Sequence, residues 1–378
     1  MSDIYQDSLL LHKKYGGKLS IKSKVSLSDK KDLSLAYTPG VAEVCRVIAG
    51  DQEQAYPLTL KGNTVAVVTD GSAILGLGNL GAKAAIPVME GKCILFKEFA
   101  DVDAIPICLD TQDTEEIIKT IKYLAPSFGG INLEDISAPR CFEIENRLKQ
   151  DLDIPVMHDD QHGTAVVVLA GLINALKLRD LEKSEARVVV NGAGAAGTAI
   201  IKLLLQYGLK DIITIDRTGI IYEGRHGLTL EKSNLAKLTN HKQKRGGLTE
   251  AIDHADVFIG VSQPAILTPE MIKTMNDQPI IFALANPVPE IMPDLAKEAG
   301  AFIIATGRSD YPNQINNVLA FPGIFRGALN NRVKQITDKM LIKTAEIIAS
   351  LVENPNHELI LPNPFDKKIA PAIARAIN

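Results

Sequence analysis

The feature that most constrains this chain is a strand, glycine and helix pattern close to its midpoint. The segment ARVVVNGAGAAGTAIIKLLLQYGLKDIITID begins with apolar, β-branched residues that lead directly into Gly192, Gly194 and Gly197. A stretch of helical apolar period follows, and a second apolar run ends in Asp216. This spacing is typical of a βαβ unit that holds the pyrophosphate of a dinucleotide at a helix amino terminus.

The residues of this unit also predict which dinucleotide binds. Glycines allow the tight turn and the close approach of the pyrophosphate, so we expect the whole loop to bind the cofactor, namely Gly192, Ala193, Gly194, Ala195, Ala196 and Gly197. Asp216 is placed to bond the adenosine ribose, and its charge disfavours a ribose phosphate. The sequence therefore favours NAD, while the adjacent Arg217 keeps NADP open as the alternative.

A second glycine pattern, GLGNLG, includes Gly76, Gly78 and Gly81. It lies several residues beyond the apolar run TVAVVT, and Pro87 interrupts the residues that follow. We interpret it as a structural loop without a ligand.

The remainder of the chain alternates apolar runs with amphipathic stretches, which predicts an α/β fold with parallel strands. The expected strands are TVAVVT, CILFKEF, AIPICL, ARVVVNG, DIITID, DVFIGV, PIIFALA and AFIIAT. A division near residue 160 separates an N-terminal α/β catalytic domain, residues 1–160, from a Rossmann-like dinucleotide-binding domain with C-terminal helices, residues 161–378.

Composition excludes several classes of partner. The chain has 378 residues and a formal net charge of -4, and no basic tract is interleaved with aromatic residues, so we expect no binding to nucleic acid or anionic membranes. The start MSDIYQDSLL carries acids where a signal peptide carries bases, and the longest apolar stretch, TAVVVLAGLINAL, is too short for a bilayer. These features predict a cytoplasmic protein.

Two acidic pairs carry the second chemical signal. Glu134 and Asp135 follow a short apolar run, and Asp159 and Asp160 lie between two histidines in MHDDQHGTA. Neighbouring carboxylates repel and lose solvation near a protein interior, so a cation or solvent must compensate them. Oxygen ligands suit Mg²⁺ or Mn²⁺, and the absence of paired cysteines argues against zinc. The alternative is that these acids cap helices, since Asp160 precedes a helix expected from about Gly163.

Six segments together resemble the malic enzymes of the short bacterial type over nearly the whole chain. They are SLAYTPGVAEVC, TDGSAILGLGNLGAKAAIPVMEGKCILFKEFADVDAIPI, INLEDISAPRCFEIE, HDDQHGTA, ANPVPEI and GRSDYPNQINNVLAFPGIFRGAL. The resemblance implies oxidation of malate with NAD(P) and a divalent metal, followed by decarboxylation to pyruvate. It also implies a homodimer or a higher homo-oligomer.

Carried over residue by residue, the resemblance implies a complete site. Glu134, Asp135 and Asp160 would bind the metal, and Asp159 would support a catalytic lysine, Lys92, as general base. Tyr37 would be the general acid, and Asn286 and Asn317 would contact the substrate or the nicotinamide ribose. Long-form relatives place an arginine for the substrate carboxylate where this chain has Ala73, so that contact must come from elsewhere.

The residues alone leave alternatives open. A lysine between a glycine and an expected strand is usually solvated, and Lys83 and Lys97 are rivals of Lys92. Tyr37 could instead pack on a helix that starts at Pro39 after an N-cap at Thr38. Asn286 and Asn317 could be turn residues.

At the level of function, three alternatives also remain open. An amino-acid dehydrogenase would use a lysine without metal-binding acids. An oxaloacetate decarboxylase or a malolactic-type activity would use the same site without net redox. A regulatory protein would bind NAD without catalysis.

Overall fold

The computed structural model describes residues 4–74 and 77–378, and it contains two sheets that the chain completes one after the other. Gly76, from the second glycine pattern, lies outside the described residues. Gly78 and Gly81 lie in the loop before a long helix, both with φ of 83°.

The first sheet is parallel, with the strand order β2-β1-β3-β4. Its strands are β1 (Thr64–Thr69), β2 (Asp103–Cys108), β3 (Gly130–Leu133) and β4 (Val156–His158). β1, β3 and β4 are buried along their whole length, as strands covered on both faces are. Leu133 pairs with His158, so β3 and β4 end side by side. The two acidic pairs that follow these strands therefore meet at one edge of the sheet.

The second sheet has the strand order β10-β9-β8-β5-β6-β7 and is parallel except for β7. Its strands are β5 (Arg187–Asn191), β6 (Asp211–Asp216), β7 (Gly219–Ile220), β8 (Val257–Gly260), β9 (Ile280–Ala283) and β10 (Ile303–Thr306). After β5 the chain forms β6 on one side of that strand, and it later returns to form β8 on the other side. This reversal opens a crevice at the carboxyl end of β5, where dinucleotide-binding folds hold their ligand.

Helices cover both sheets. They are α1 (Ile4–Tyr15), α2 (Lys30–Ala36), α3 (Val41–Gly50), α4 (Ala55–Leu58), α5 (Ala82–Ala100), α6 (Thr114–Leu124), α7 (Arg140–Asp151), α8 (Asp159–Arg179), α9 (Ala195–Tyr207), α10 (Leu230–Leu238), α11 (Leu248–Ile252), α12 (Pro269–Lys273), α13 (Pro293–Glu298), α14 (Phe321–Asn330), α15 (Asp338–Ser350) and α16 (Ile369–Ala374). The α/β fold class is confirmed, and seven of the expected strands overlap observed ones.

The expected strand CILFKEF is wrong, because this segment forms the second half of the helix α5. The buried residues of α5 are Ala82, Ala85, Met89, Cys93, Phe96 and Ala100. These residues are three or four positions apart, which places them on one helix face. The segment CILFKEF is too short to show this helical period. α5 also continues through Pro87. An internal proline costs about 3 kcal/mol, and burial of Met89 and Phe96 at about 1.5–3 kcal/mol each offsets it.

α8 joins the two sheets. The largest hydrophobic core contains most of its residues from Ala165 to Leu176 together with Val65 of β1 and Val188 of β5. α8 begins at Asp159, four residues earlier than expected, because both aspartates belong to its first turn, where negative charge is favourable. The 21 residues of α8 are long and apolar enough to cross a bilayer by length and composition. This corrects the expectation that the apolar stretch TAVVVLAGLINAL is too short for a bilayer. However, 72% of the apolar window of α8 is buried inside the protein.

The first four helices contrast with this core. None of α1 to α4 has a buried side chain, and Ile21, Leu35 and Tyr37 are among the apolar residues that this region exposes. The helix expected from Pro39 instead begins at Val41, because a turn closed by the Gly40 amide and the Ser34 carbonyl separates α2 from α3.

Candidate active site

Three carboxylates converge at the edge where β3 and β4 end. One oxygen from each of Glu134, Asp135 and Asp160 lies within 4.8 Å of the others. Glu134 and Asp135 are buried, and the Asp135 amide donates to Asp160 Oδ2 at 2.8 Å. Asp160 thus bonds across to the loop after β3, which argues against the alternative that it is simply a helix cap. A set of three oxygen donors from acids is the kind that Mg²⁺ and Mn²⁺ prefer.

Lys92 reaches these acids from the interior of α5. Its Nζ lies 2.6 Å from Asp159 Oδ2 and 2.9 Å from Glu134 Oε1, and its side chain is only 11% exposed. It also lies 4.3 Å from the centre of the Phe321 ring. The rivals behave differently, since Lys83 is exposed and Lys97 pairs with Asp101 and Asp103 at the surface.

The electrostatics of this cluster favour an added cation. Burial opposes the charge of Lys92, but Asp159, Glu134 and Asp160 outweigh it and raise the pKa of the ammonium above its usual value. Burial raises the pKa of Glu134 well above the usual range. The charges of Asp160, Asp159 and Asp135 raise it further, whereas Lys92 acts to lower it. Glu134, Asp159 and Asp160 therefore act on one ammonium, and a divalent cation would relieve the repulsion among the carboxylates.

Asp159 is held by two donors. It is completely buried, and besides Lys92 it accepts a hydrogen bond from Asn317 Nδ2 at 3.0 Å. The Asn317 carbonyl oxygen in turn accepts from the Thr164 hydroxyl at 3.1 Å. A Cβ at Gly163 would lie 1.8 Å from Asp159 Oδ1, so only glycine fits there. These contacts fix the carboxylate against Lys92.

Glu145 of α7 bonds to the residues at the start of α8, and it was not predicted from the sequence. Its side chain is 4% exposed, and its carboxylate accepts from the His158 amide at 3.0 Å and from Gln161 Nε2 at 3.3 Å. His162 Nε2 lies 3.0 Å away. Although burial acts to raise it, the pKa of Glu145 is lowered by His162 and Lys149. The sequence signal that could have identified Glu145 was its position on the buried face of the amphipathic helix α7.

The glycine loop after β5 has the geometry that close approach of a ligand needs. Gly192 has φ of 124°, and a Cβ at Gly197 would lie 1.7 Å from the Gly192 carbonyl oxygen. Gly194 is the N-cap of α9, and no side chain caps that helix. Gly192 and Gly194 of the loop line a cleft of about 660 Å³ that Asp216 also lines. Ala193 lines this cleft as well, whereas Ala195 and Ala196 form the first turn of α9.

Asp216 lies at the end of β6, as expected, but its partners were not foreseen. Its Oδ2 lies 2.5 Å from Arg225 Nη2 and 2.7 Å from Lys232 Nζ. Arg217 is exposed and lines the cleft. Burial acts to raise the pKa of Asp216, but hydrogen bonds from Arg225, Lys232 and Thr218 lower it below its usual value.

A second cleft, of about 730 Å³, connects the acids to the nucleotide-binding fold. Its lining includes Lys92 and the three converging carboxylates, two residues of the nucleotide-binding fold, Ala196 and Val261, and the two asparagines Asn286 and Asn317. Ala73 also lines it, and Lys92 is the only lysine or arginine among the described lining residues. Tyr37 does not line this cleft and is 68% exposed at the end of α2.

The fold and these two clefts define a class: a dinucleotide-dependent oxidoreductase whose reaction site contains a carboxylate cluster suited to a divalent cation. Two family models match the chain, the malic enzyme N-terminal domain over residues 16–149 and the malic enzyme NAD-binding domain over residues 161–377. The chain belongs to the malic enzyme family.

Individual relatives agree with this assignment. The chain is 58% identical to the bifunctional malic/malolactic enzyme of Bacillus subtilis, over 98% of this chain and 92% of that protein. It is 49% identical to an NADP-dependent malic enzyme of Rhizobium meliloti, over 96% of this chain and 50% of that protein. The solved structure of the NAD-dependent malic enzyme of Thermotoga maritima has a TM-score of 0.96 at 53% identity, and 98% of each chain is covered.

Proposed function

We propose that the chain oxidises malate to pyruvate and carbon dioxide, with reduction of NAD(P) and with Mg²⁺ or Mn²⁺. One observation carries the proposal: Lys92 is buried among Glu134, Asp159 and the other acids in a cleft that continues to the nucleotide-binding loop. This arrangement provides a proton-transfer group, a cation site and a hydride acceptor around one small volume.

Each residue then has a defined task. Glu134, Asp135 and Asp160 would hold the cation, which would supply Lewis-acid polarisation of the oxygens of malate. Lys92 accepts the hydroxyl proton from C2 as hydride leaves for the nicotinamide. When Glu134 is engaged with a cation, Asp159 remains as the close partner of Lys92, and the proton affinity of Lys92 falls.

Two asparagines complete the substrate contacts. Asn286 and Asn317 contact malate or the nicotinamide ribose. Because Asn317 also bonds Asp159, it links the substrate to the group that orients Lys92.

Tyr37 donates a proton to C3 after carbon dioxide leaves, and we propose that it does so in the site of a second copy of the chain. Helices α1 to α4 have no buried side chain, and Tyr37 does not line the cleft of its own chain. Exposed apolar residues over a contiguous region mark a protein interface. The active form is therefore a homodimer or a higher homo-oligomer whose sites combine two copies.

Mixing two inactive variants tests this arrangement. When Tyr37→Phe and Lys92→Ala proteins are dissociated, mixed in equal amounts and reassociated, roughly a quarter of wild-type pyruvate formation should return, because half of the dimers are mixed and each contains one complete site. If Tyr37 served its own chain, every site would lack one residue and no activity would return. Wild-type protein carried through the same treatment is the control.

The remaining parts of the proposal concern cofactor choice and organisation. NAD is the preferred cofactor, since Asp216 is placed to bond the ribose hydroxyls. The chain divides into a substrate and metal domain at residues 1–160 and a nucleotide domain at residues 161–378, and the division falls where the first sheet ends. The protein works in the cytoplasm on a small-molecule substrate, without nucleic acid or membrane partners.

Substrate choice tests the function. Purified protein is supplied with NAD, Mn²⁺ and, in separate reactions, malate or glutamate, and reduced nicotinamide is followed. We expect reduction with malate alone, and reduction with glutamate instead would indicate an amino-acid dehydrogenase. Lactate from malate would indicate the second activity named for the Bacillus subtilis relative. No reaction with either substrate would support a regulatory NAD-binding protein.

Removing one acid tests the cation site. In Asp160→Asn, the Mn²⁺ concentration for half-maximal activity should rise at least about tenfold, the scale on which even outer-shell changes act. NAD affinity should stay the same, because the glycine loop is separate. The matched control is Asp110→Asn, since Asp110 follows β2 at the same sheet edge but is exposed and lies outside the cluster. Unaltered metal dependence in Asp160→Asn would eliminate the assignment.

A further inference from the structure

A third cavity, of about 810 Å³, is larger than either cleft of the active site. It lies between the carboxyl end of α5, the helices α14 and α16 and the turn before α14, and we call it the rear groove. Phe99, Val318, Leu319 and Ile369 are among its apolar lining residues. None of the residues assigned to the reaction is among its described lining residues. A concave, largely apolar space of this size accommodates a small molecule.

The segments that line the rear groove also carry active-site residues. Val318 and Leu319 belong to the same 3₁₀ turn as Asn317, which lines the catalytic cleft. On α5, Phe99 follows Lys92 by about two helical turns. A ligand in the rear groove would therefore pack against the two segments that bring a lysine and an asparagine to the carboxylate cluster.

Arg326 of α14 is the polar side chain that distinguishes the rear groove. Its Nη1 donates to Asn63 Oδ1 at 2.5 Å and to the Asp101 carbonyl oxygen at 3.5 Å. Its buried Nε has no hydrogen-bond partner among the described residues. Asp101 and Asp103 attract its charge, but the carboxylates of both pair with Lys97. The guanidinium therefore has unused donor capacity at the wall of an apolar cavity.

The charge of the lining favours an anion with an apolar body. Burial lowers the pKa of Arg326 below its usual value, and the two nearby acids oppose that effect only in part. Guanidinium groups bind carboxylates through two parallel hydrogen bonds. Four cationic side chains line the groove against three acidic ones, namely Lys97, Arg326, Lys367 and Arg375 against Glu98, Asp101 and Asp366. This excess favours an anion over a cation.

A small molecule suits the rear groove better than a second copy of the chain does. Val318, Leu319 and Ile369 are all 8% exposed or less, so their apolar atoms form the floor of a concave space. Protein interfaces use exposed apolar patches instead, and this chain exposes such residues on α1 to α4.

We propose that the rear groove binds a medium-chain fatty carboxylate and that its occupation strengthens malate binding. Arg326 binds the carboxylate, and Phe99 and Leu319 pack against the hydrocarbon chain. The bound chain restrains the turn that positions Asn317, so less conformational freedom remains to be lost when malate binds. This inference rests on the proposed function for its kinetic readout, and its binding readout is independent of malate chemistry.

Octanoate is the probe for this site. Calorimetric titration with NADH and Mn²⁺ present should show one octanoate bound per chain. In Arg326→Gln the dissociation constant should rise about 10- to 100-fold, the range for a lost hydrogen bond to a charged group. Arg326→Lys keeps the charge but loses the planar fork, so its dissociation constant should lie between the two.

The matched control is Arg375→Gln, which removes an exposed arginine of the same groove. It should change the dissociation constant of octanoate less than about threefold. Thermal unfolding of each variant verifies that it is folded, and Arg326→Lys serves as the test if Arg326→Gln does not fold.

A series of ligands tests the two parts of the proposed chemistry. From butyrate through hexanoate to octanoate, each added methylene should tighten binding about fourfold, as burial in an apolar cavity predicts. Octanamide has the same length without the charge, and it should bind at least about tenfold more weakly than octanoate.

Kinetics test the coupling to the reaction. Saturating octanoate should lower the malate concentration for half-maximal activity about fivefold in the wild type, at the lower end of typical coupling between sites. The effect should be absent in Arg326→Gln. Malate should in turn tighten octanoate binding by a similar factor, because the coupling of two binding sites is reciprocal.

Four outcomes would overturn the inference. They are equal octanoate affinity in the wild type and Arg326→Gln, malate binding that octanoate leaves unchanged, competition between octanoate and malate, and dissociation of an oligomer by octanoate in light scattering. Competition would place octanoate in the catalytic cleft, and dissociation would make the groove an interface between copies. If malate is not oxidised but octanoate binds through Arg326, the proposed function fails and the binding site stands.

Discussion

Lys92→Ala should abolish both directions of hydride transfer. A positioned acid or base typically contributes about 10²–10⁴-fold, and we expect a loss of that size in malate oxidation and equally in the reduction of added oxaloacetate by NADH. Both reactions move a proton at the C2 oxygen together with hydride. Lys92 is the only lysine or arginine among the described residues that line the cleft, so no neighbouring side chain of that type replaces it.

The control for Lys92→Ala must separate chemistry from folding, because the change leaves Asp159 and Glu134 buried without their cation. Lys97→Ala removes a lysine of the same helix that pairs with two acids at the surface, and it should keep wild-type rates. NADH binding measured by fluorescence should persist in Lys92→Ala. Retention of oxaloacetate reduction in that variant would assign the proton transfer to another group.

Tyr37→Phe should separate the two halves of the reaction. Oxaloacetate reduction needs neither decarboxylation nor protonation at C3, so it should remain within about threefold of wild type, whereas pyruvate formation from malate should fall about 10²–10⁴-fold. Metal-dependent exchange of the methyl protons of pyruvate with deuterium should slow by a similar factor, since it reports proton transfer at C3 without hydride.

Tyr123→Phe is the matched control for Tyr37→Phe, because Tyr123 is similarly exposed, at 74%, on α6. It should leave all three reactions unchanged. If Tyr37→Phe exchanged methyl protons as fast as wild type, the acid role would belong to another residue and Tyr37 would be an interface residue only.

The convergence of the acids could be foreseen because parallel strands end at one edge of a sheet. Glu134 and Asp160 each follow an apolar run that reads as a buried strand, and the structure brings them together as that argument requires. The glycine loop could also be predicted from the sequence. Gly192 and Gly197 are required by the local backbone conformation, and their spacing along the chain is enough to reveal this.

Contacts that depend on tertiary packing were not accessible from the residues. Lys92 reaches the acids only because α5 is a long helix that buries one face, and the short segment around it resembles a strand. Arg225 and Lys232 lie nine and sixteen residues after Asp216, beyond a turn and on a separate helix. Glu145 carries no motif of its own. In each case the fold, rather than spacing along the chain, creates the partner.

The most direct test of the proposed reaction follows reduced nicotinamide and pyruvate together in one reaction with malate, NAD and Mn²⁺. We expect that the two products form in equal amounts, that a chelator stops both, and that added Mn²⁺ restores both, because one cluster of acids and one lysine serve oxidation and decarboxylation. Reduced nicotinamide that continues to form after chelation, or that forms without pyruvate, would contradict the proposed reaction.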